Sequence, residues 1–167
     1  MYILDSSCII TIFEESDFPE LMDLILKLDD IGVPELLIRE ELQSHGRQTI
    51  SGERIEQYVN DNKVILLKNS QWDIIQFISE LPYIKQTQFV PGEIYVMCAY
   101  KYNNTGFDVC CVIDEDKATK YSKEQGYAHV NTDYLLRRLL VEGHVNNRQF
   151  DKIRRNIRNN QSNQRRP

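Results

Sequence analysis

Asp108-Val109-Cys110-Cys111-Val112-Ile113-Asp114-Glu115-Asp116-Lys117-Ala118 is a short apolar run that ends abruptly in three consecutive carboxylates. An uninterrupted run of this kind reads as a strand buried on both faces, as in parallel sheets covered by helices on either side. In open α/β folds the carboxyl ends of such strands are where sites are built. Three like charges at one strand end repel one another, which is costly unless solvent, helix N-terminal amides or a cation offsets it. Residues 108–118 therefore point to an α/β fold with a candidate metal site at the edge of its sheet.

The flanks fit the same fold. Upstream, Gln88-Phe89-Val90-Pro91-Gly92-Glu93 reads as a loop into a helix over 92–103, with Ile94, Met97, Cys98 and Ala99 facing inward. Glu93 falls in the first turn, where the helix dipole favours an anion. Strand 107–113 is followed by a helix over 116–125 stopped by Gly126, a short strand over 128–130, and a helix over 134–142 that is capped by Asn131, Thr132 or Asp133 and stopped at Gly143.

The chain opens on the same theme, with Tyr2-Ile3-Leu4 ending at Asp5 and followed by Ser6 and Ser7, both competent to cap a helix. Leu21, Leu24, Ile25 and Leu28 predict a helix over 19–29, and Ile31 to Pro34 a brief strand. Leu37, Ile38 and Leu42 predict a further helix, with Glu41 beside its apolar stripe. A break is expected over 43–51, around His45 and Gly46. A weakly amphipathic helix follows over 53–60, with Ile55, Tyr58 and Val59 inward, and then a strand within 63–68. The next helix buries either Trp72, Ile75 and Ile78 or Ile74, Phe77 and Ile78, and stops at Pro82. Trp72 reads as core. This alternation predicts a three-layer α/β/α sandwich with a central, mainly parallel sheet of about four to five strands.

With 167 residues, a core-sized hydrophobic fraction of 41% and 27% charge, the bulk of the chain reads as one ordered domain over 1–145. No apolar run approaches the ~18 residues of a membrane span. The amino terminus has Asp5 inside its apolar stretch and no basic region ahead of it, so the expected location is cytoplasmic, away from membranes. Cys8, Cys98, Cys110 and Cys111 form no CxxC pair and read as small buried hydrophobes, which excludes zinc-finger and redox classes. His45, His129 and His144 lack metal or triad spacing and read as structural or surface residues.

Residues 146–167 carry seven bases and one acid, +6 against a total of −5, so the remainder carries −5 − 6 = −11. Phe150, Ile153 and Ile157 predict a helix through Ile157, with the basic, Asn/Gln-rich remainder disordered. An acidic body suits a cation, and a basic tail suits a polyanion. Arg148, Lys152, Arg154, Arg155 and Arg158 are accordingly candidate nucleic-acid contacts, with an inter-subunit arm as the competing use.

Asp5, Glu41, Glu93 and Asp114 stand where such a fold brings strand ends and helix starts together. Each alone has a plain structural use as a helix cap, a dipole partner or a solvated acid; their order along the chain favours a site. Hard divalent cations want such oxygen ligands.

Taken in order, YILDSSCII, VPELLIREEL, VPGEIYVMCAY, CCVIDEDKAT and GYAHVNTDYLLRRLLVEGHV resemble the PIN-domain ribonucleases over roughly 1–145, in particular the prokaryotic proteins related to VapC-type toxins. The resemblance implies a Mg²⁺ or Mn²⁺ site ringed by Asp5, Glu41, Glu93 and Asp114, with Asp116 as a fifth acid and Glu115 a spectator. Ser7 and Thr132 would order the ring through hydrogen bonds. It further implies an endoribonuclease acting on RNA, a small antitoxin protein that plugs the acidic groove with Arg or Lys, and a homodimer. The chain departs from the family pattern at Glu115, where relatives commonly have Asp, and at Asn131 and Asp133, where they commonly have Gly. Glu40 beside Glu41 leaves the second acid open, with Glu41 favoured by its spacing from Ile38 and Leu42. The alternative is a non-catalytic PIN-like module that binds RNA or scaffolds a complex.

Overall fold

The computed structural model describes residues 1–43, 49–103 and 105–164. Most of the break expected over 43–51, His45 and Gly46 included, lies outside them, as do Arg165 and Arg166. Five parallel strands form one sheet, β1 (Tyr2–Leu4), β2 (Ile31–Pro34), β3 (Ile65–Leu67), β4 (Cys110–Val112) and β5 (His129–Val130), in the order β3-β2-β1-β4-β5. The helices are α1 (Ser6–Ile10), α2 (Leu21–Ile25), α3 (Glu35–Leu37), α4 (Ile50–Asn60), α5 (Gln71–Glu80), α6 (Tyr83–Gln86), α7 (Pro91–Lys101), α8 (Asp116–Glu124), α9 (Thr132–Val141) and α10 (Asn147–Gln164). The expected three-layer α/β/α sandwich is what the chain forms, and its sheet is parallel throughout. Among the described residues no helix is long and apolar enough to cross a membrane.

Central strands buried on both faces must be apolar at every position. Ile3, Leu4, Val33, Cys111, Val112 and Ile113 are all fully buried. α7 lies against β1, β2 and β4, with α3 and α5 packed on it, while α9 packs on α2 and α10. β1 is the hinge of the topology. From it the chain steps to β2 and β3 on one side, then returns to build β4 and β5 on the other, so the crevice between the carboxyl ends of β1 and β4 is the switch point.

Two helices widen into π-helical turns, α1 over Thr11–Glu15 and α3 over Ile38–Leu42. The first is closed by the Ser16 amide donating to the Thr11 carbonyl, five residues back. Several expected boundaries move. β4 is confined to Cys110–Val112, with Phe107 46% exposed rather than within the strand. α2 is shorter than the expected 19–29. α4 starts at Ile50 because Thr49 caps it, its Oγ1 accepting from the Gly52 amide at 2.9 Å. On α5 the inward face is that of Phe77, Ile74 and Ile78; Trp72, about 140° round from Phe77, is 79% exposed and is not core. α10 continues past Ile157 to Gln164. Its polar side is held to the first π-turn by Asn156 Nδ2 donating to the Ser16 carbonyl (3.0 Å) and Asn160 Nδ2 to the Glu15 carbonyl (2.8 Å).

Candidate functional site

At the switch point the sheet opens into a cleft of about 820 Å³. Asp5, Glu93 and Asp114 all line it, arriving respectively from the end of β1, the first turn of α7 and the end of β4. Register explains the first and last: Leu4 pairs with Val112, so Asp5 and Asp114 leave adjacent strands within two residues of the same level.

Asp5 is the N-cap of α1, the plain structural use open to it in the sequence, and neither Ser6 nor Ser7 takes that role. Its Oδ1 accepts both the Cys8 amide and the Ser7 hydroxyl, each at 2.8 Å. Glu93 Oε2 accepts the Val90 amide at 3.1 Å, and Glu41 Oε1 accepts the Gly92 amide at 2.5 Å. Asp5 Oδ2, Glu93 Oε1 and Glu41 Oε2 make no further hydrogen bond among the described residues. Three carboxylates are thus each fixed by one oxygen, with the other left over. Asp114 is gripped at both oxygens by Thr132, whose amide reaches Oδ1 (2.8 Å) and whose hydroxyl reaches Oδ2 (2.6 Å).

Asp5 and Glu93 are each only 4% exposed. Burial, with the charges of Asp114 and Glu41 adding to it, pushes the Asp5 carboxyl up to about 7 against the pull of Cys8 and Ser7. Burial likewise raises Glu93 to about 7, aided by Glu115, Asp5 and Glu41. Both sites penalise a bare negative charge.

Not every expected acid joins in. Glu41 acts on Asp5 and Glu93 through its charge and holds Gly92, but it is not part of the cleft wall. Its neighbour Glu40 is exposed and turned to the Tyr95 hydroxyl (2.5 Å), so of the two Glu41 is the one at the site. Asp116 lies in the first turn of α8 and does not line the cleft; Glu115, assigned the spectator role by sequence, does. Among the described residues no three His, Cys, Asp or Glu side chains come together as a ready-made metal nest.

Sequence reasoning also passed over Glu15, Lys117 and Gln161. Glu15, 6% exposed, lines the cleft from the π-turn, its Oε2 accepting from Thr11 Oγ1 (2.8 Å) and Gln161 Nε2 (2.9 Å). Nothing in an i, i+4 Thr-Glu pair announces that, because the π-turn that orients it has no simple sequence signature. Of the five basic residues proposed to meet nucleic acid, Arg154 and Arg158 line the cleft; Arg148, Lys152 and Arg155 are exposed elsewhere on α10. Among known proteins, no family model matches this chain, and no curated protein matches it.

Proposed function

We propose that the chain is a divalent-metal-dependent endoribonuclease of the PIN-like kind, a phosphodiester hydrolase working at Asp5, Glu93 and Asp114 with Glu41 behind them. The observation that carries this reading is the half-occupied set of carboxylates: Asp5 and Glu93 are buried, fixed by amides through one oxygen and left with the other. No cation of the chain forms an ion pair with either among the described residues, so their charge lacks a partner. An all-oxygen donor set of this kind fits Mg²⁺ or Mn²⁺. Mg²⁺ is usually held by one or two carboxylates plus waters and substrate phosphates, which suits a cleft without a three-donor nest.

One or two of Asp5, Glu93 and Asp114 would hold the ion, with water and the substrate phosphate completing its shell. It would supply an acidified water and neutralise charge on the phosphodiester. The chain's own residues supply the preorganisation. Ser7 and the Cys8 amide fix the rotamer of Asp5, Thr132 clamps Asp114 between β4 and α9, and burial around Asp5 and Glu93 keeps bulk water from screening them.

RNA cleavage dependent on Mg²⁺ or Mn²⁺ is expected, falling at least about 100-fold in Asp5→Asn and in Asp114→Asn. Cleavage that persists in both variants, or in excess chelator, overturns the proposal. The lack of an assembled nest favours a second reading, a non-catalytic RNA-binding or scaffold module. RNA binding with no cleavage under either metal would select it. In its finer form the proposal makes the chain the toxin of a toxin-antitoxin pair. A neighbouring reading frame encoding a small DNA-binding protein that blocks cleavage is the corresponding test.

A further inference from the structure

Lys117, in the first turn of α8, and Arg158, on α10, line the same cleft as the carboxylates. Both are exposed, and neither forms an ion pair among the described residues. The third base of the cleft is different: Arg154 Nε lies 2.9 Å from Asp133 Oδ1, and Asp133 Oδ2 is also taken by Arg137 Nε at 2.6 Å. Arg154 is therefore tied down within the protein, sharing the one Asp133 carboxylate with Arg137, while Lys117 and Arg158 have no ion-pair partner among the described residues.

The placement on α10 is selective. Arg154, Ile157, Arg158 and Gln161 recur at three- and four-residue intervals and share the cleft side, whereas Lys152 falls on the far side of the helix. Ile157 packs on the core, and Gln161 is bonded to Glu15, so this side is docked and Arg158 is carried on a fixed support. A polyanion entering a cleft walled by Asp5, Glu93, Asp114 and Glu115 is repelled unless uncommitted cations receive it. An Arg fork and a Lys point charge are the two side chains suited to phosphate oxygens.

We propose that Lys117 and Arg158 form a phosphodiester-binding pair that seats the backbone of single-stranded nucleic acid in this cleft. The choice of ligand rests on the nuclease reading; the two free cations do not. The test uses the full chain, Mn²⁺ and a short 2′-O-methyl oligoribonucleotide that resists hydrolysis, followed by fluorescence anisotropy across a salt series. Lys117→Ala and Arg158→Ala are each expected to weaken binding about tenfold at about 50 mM salt, and to lower the salt slope by about 0.7 per lost contact. Mn²⁺ affinity, read by electron paramagnetic resonance, stays at the wild-type value in both. Arg158→Lys keeps most of the binding, and Lys152→Ala keeps all of it. Wild-type affinity and slope in the Lys117→Ala/Arg158→Ala double variant overturn the pair even if Asp5→Asn abolishes cleavage. Displacement by polyglutamate as effective as by unlabelled oligonucleotide overturns the phosphodiester assignment. A wild-type protein that cuts nothing, yet loses oligonucleotide binding in the double variant, supports the pair and removes the nuclease reading alone.

Discussion

Thr132 grips Asp114 through two different groups, and they can be separated by mutation. The amide is lost to no substitution short of proline, while the hydroxyl, donating to Oδ2 at 2.6 Å, is removed by Thr132→Val with little change of shape. Thr132 is buried but Asp114 is exposed, so water can take over part of what the carboxylate loses. The cost is expected at about 1.5 kcal/mol, the low end for a hydrogen bond to a charged group, measured by urea unfolding. Thr132→Ser should recover it. Mn²⁺ affinity should drop in the valine variant and return in the serine one, because a carboxylate free to rotate is a poorer ligand. If Thr132→Val leaves the Mn²⁺ titration untouched, Asp114 is not a ligand that needs orienting. At this scale sequence placed Asp5, Glu93 and Asp114 at the ends of elements and concealed much of how they are held. Asp5 is visible as a strand-end acid and a cap candidate, and Ser7 as its support; that one oxygen of Asp5 takes both the Cys8 amide and the Ser7 hydroxyl depends on a backbone turn that no spacing rule encodes.

Gly92 sits where the amino end of α7 meets the π-turn of α3. A Cβ placed on it would lie 2.5 Å from Glu41 Oε2 and 3.0 Å from Ser6 Oγ, both at the ends of side chains that can move. Gly92→Ala is therefore expected to change stability by no more than about 1 kcal/mol, the helix preference of alanine offsetting a weakened bond from this amide to Glu41. Cleavage falls, however, because Glu41 is displaced from beside the Asp5–Glu93 pair. A thermal melt paired with an RNA cleavage assay checks both halves; a variant that melts much lower and cuts normally contradicts the expected split. The strands were legible as elements because each is a short apolar run with a turn signal or an acid at its end. The helices were legible wherever an apolar stripe recurred at three and four. What escaped notice were the π-turns, which break that period, and the outer half of α10. There amides of Asn156, Asn160 and Gln161 hold a helix that an apolar pattern would end at Ile157. Trp72 lies outside the core for a related reason: two overlapping stripes fit α5, and the one containing Phe77 is the buried one.

Across the whole molecule, the buried acids couple stability to pH. Asp5 and Glu93 have carboxyls raised to about 7 in the folded chain, so between about pH 4 and pH 7 the native state binds protons that the unfolded state has released. Their contribution is fully present at low pH and is lost as pH rises through about 7. Without metal, the wild type should therefore lose stability over that interval relative to Asp5→Asn, whose profile is flatter. Mn²⁺ should raise the wild-type Tm at pH 8 by more than at pH 5. A wild type and an Asp5→Asn variant with parallel profiles would show that Asp5 stays ionised throughout. The fold class and the gathering of Asp5, Glu93 and Asp114 could be anticipated because parallel sheets concentrate strand ends on one edge. The exchange of Asp116 for Glu115 could not, since one residue of difference at a helix start decides which side chain faces the cleft.

The central position of β1 also governs when the site can exist. Tyr2 pairs with Cys110, 108 residues later in the chain, and Thr132 must follow before Asp114 is held. Contacts of such long range form late in folding, after most of the loop-closure entropy has been overcome. During synthesis Asp5 therefore waits for β4, and then for Thr132, before the cleft can be assembled. A product cut between α7 and β4 carries Asp5, Glu41 and Glu93 with no Asp114 to join them, so whatever the cleft does is reserved for chains extended through β4 to Thr132.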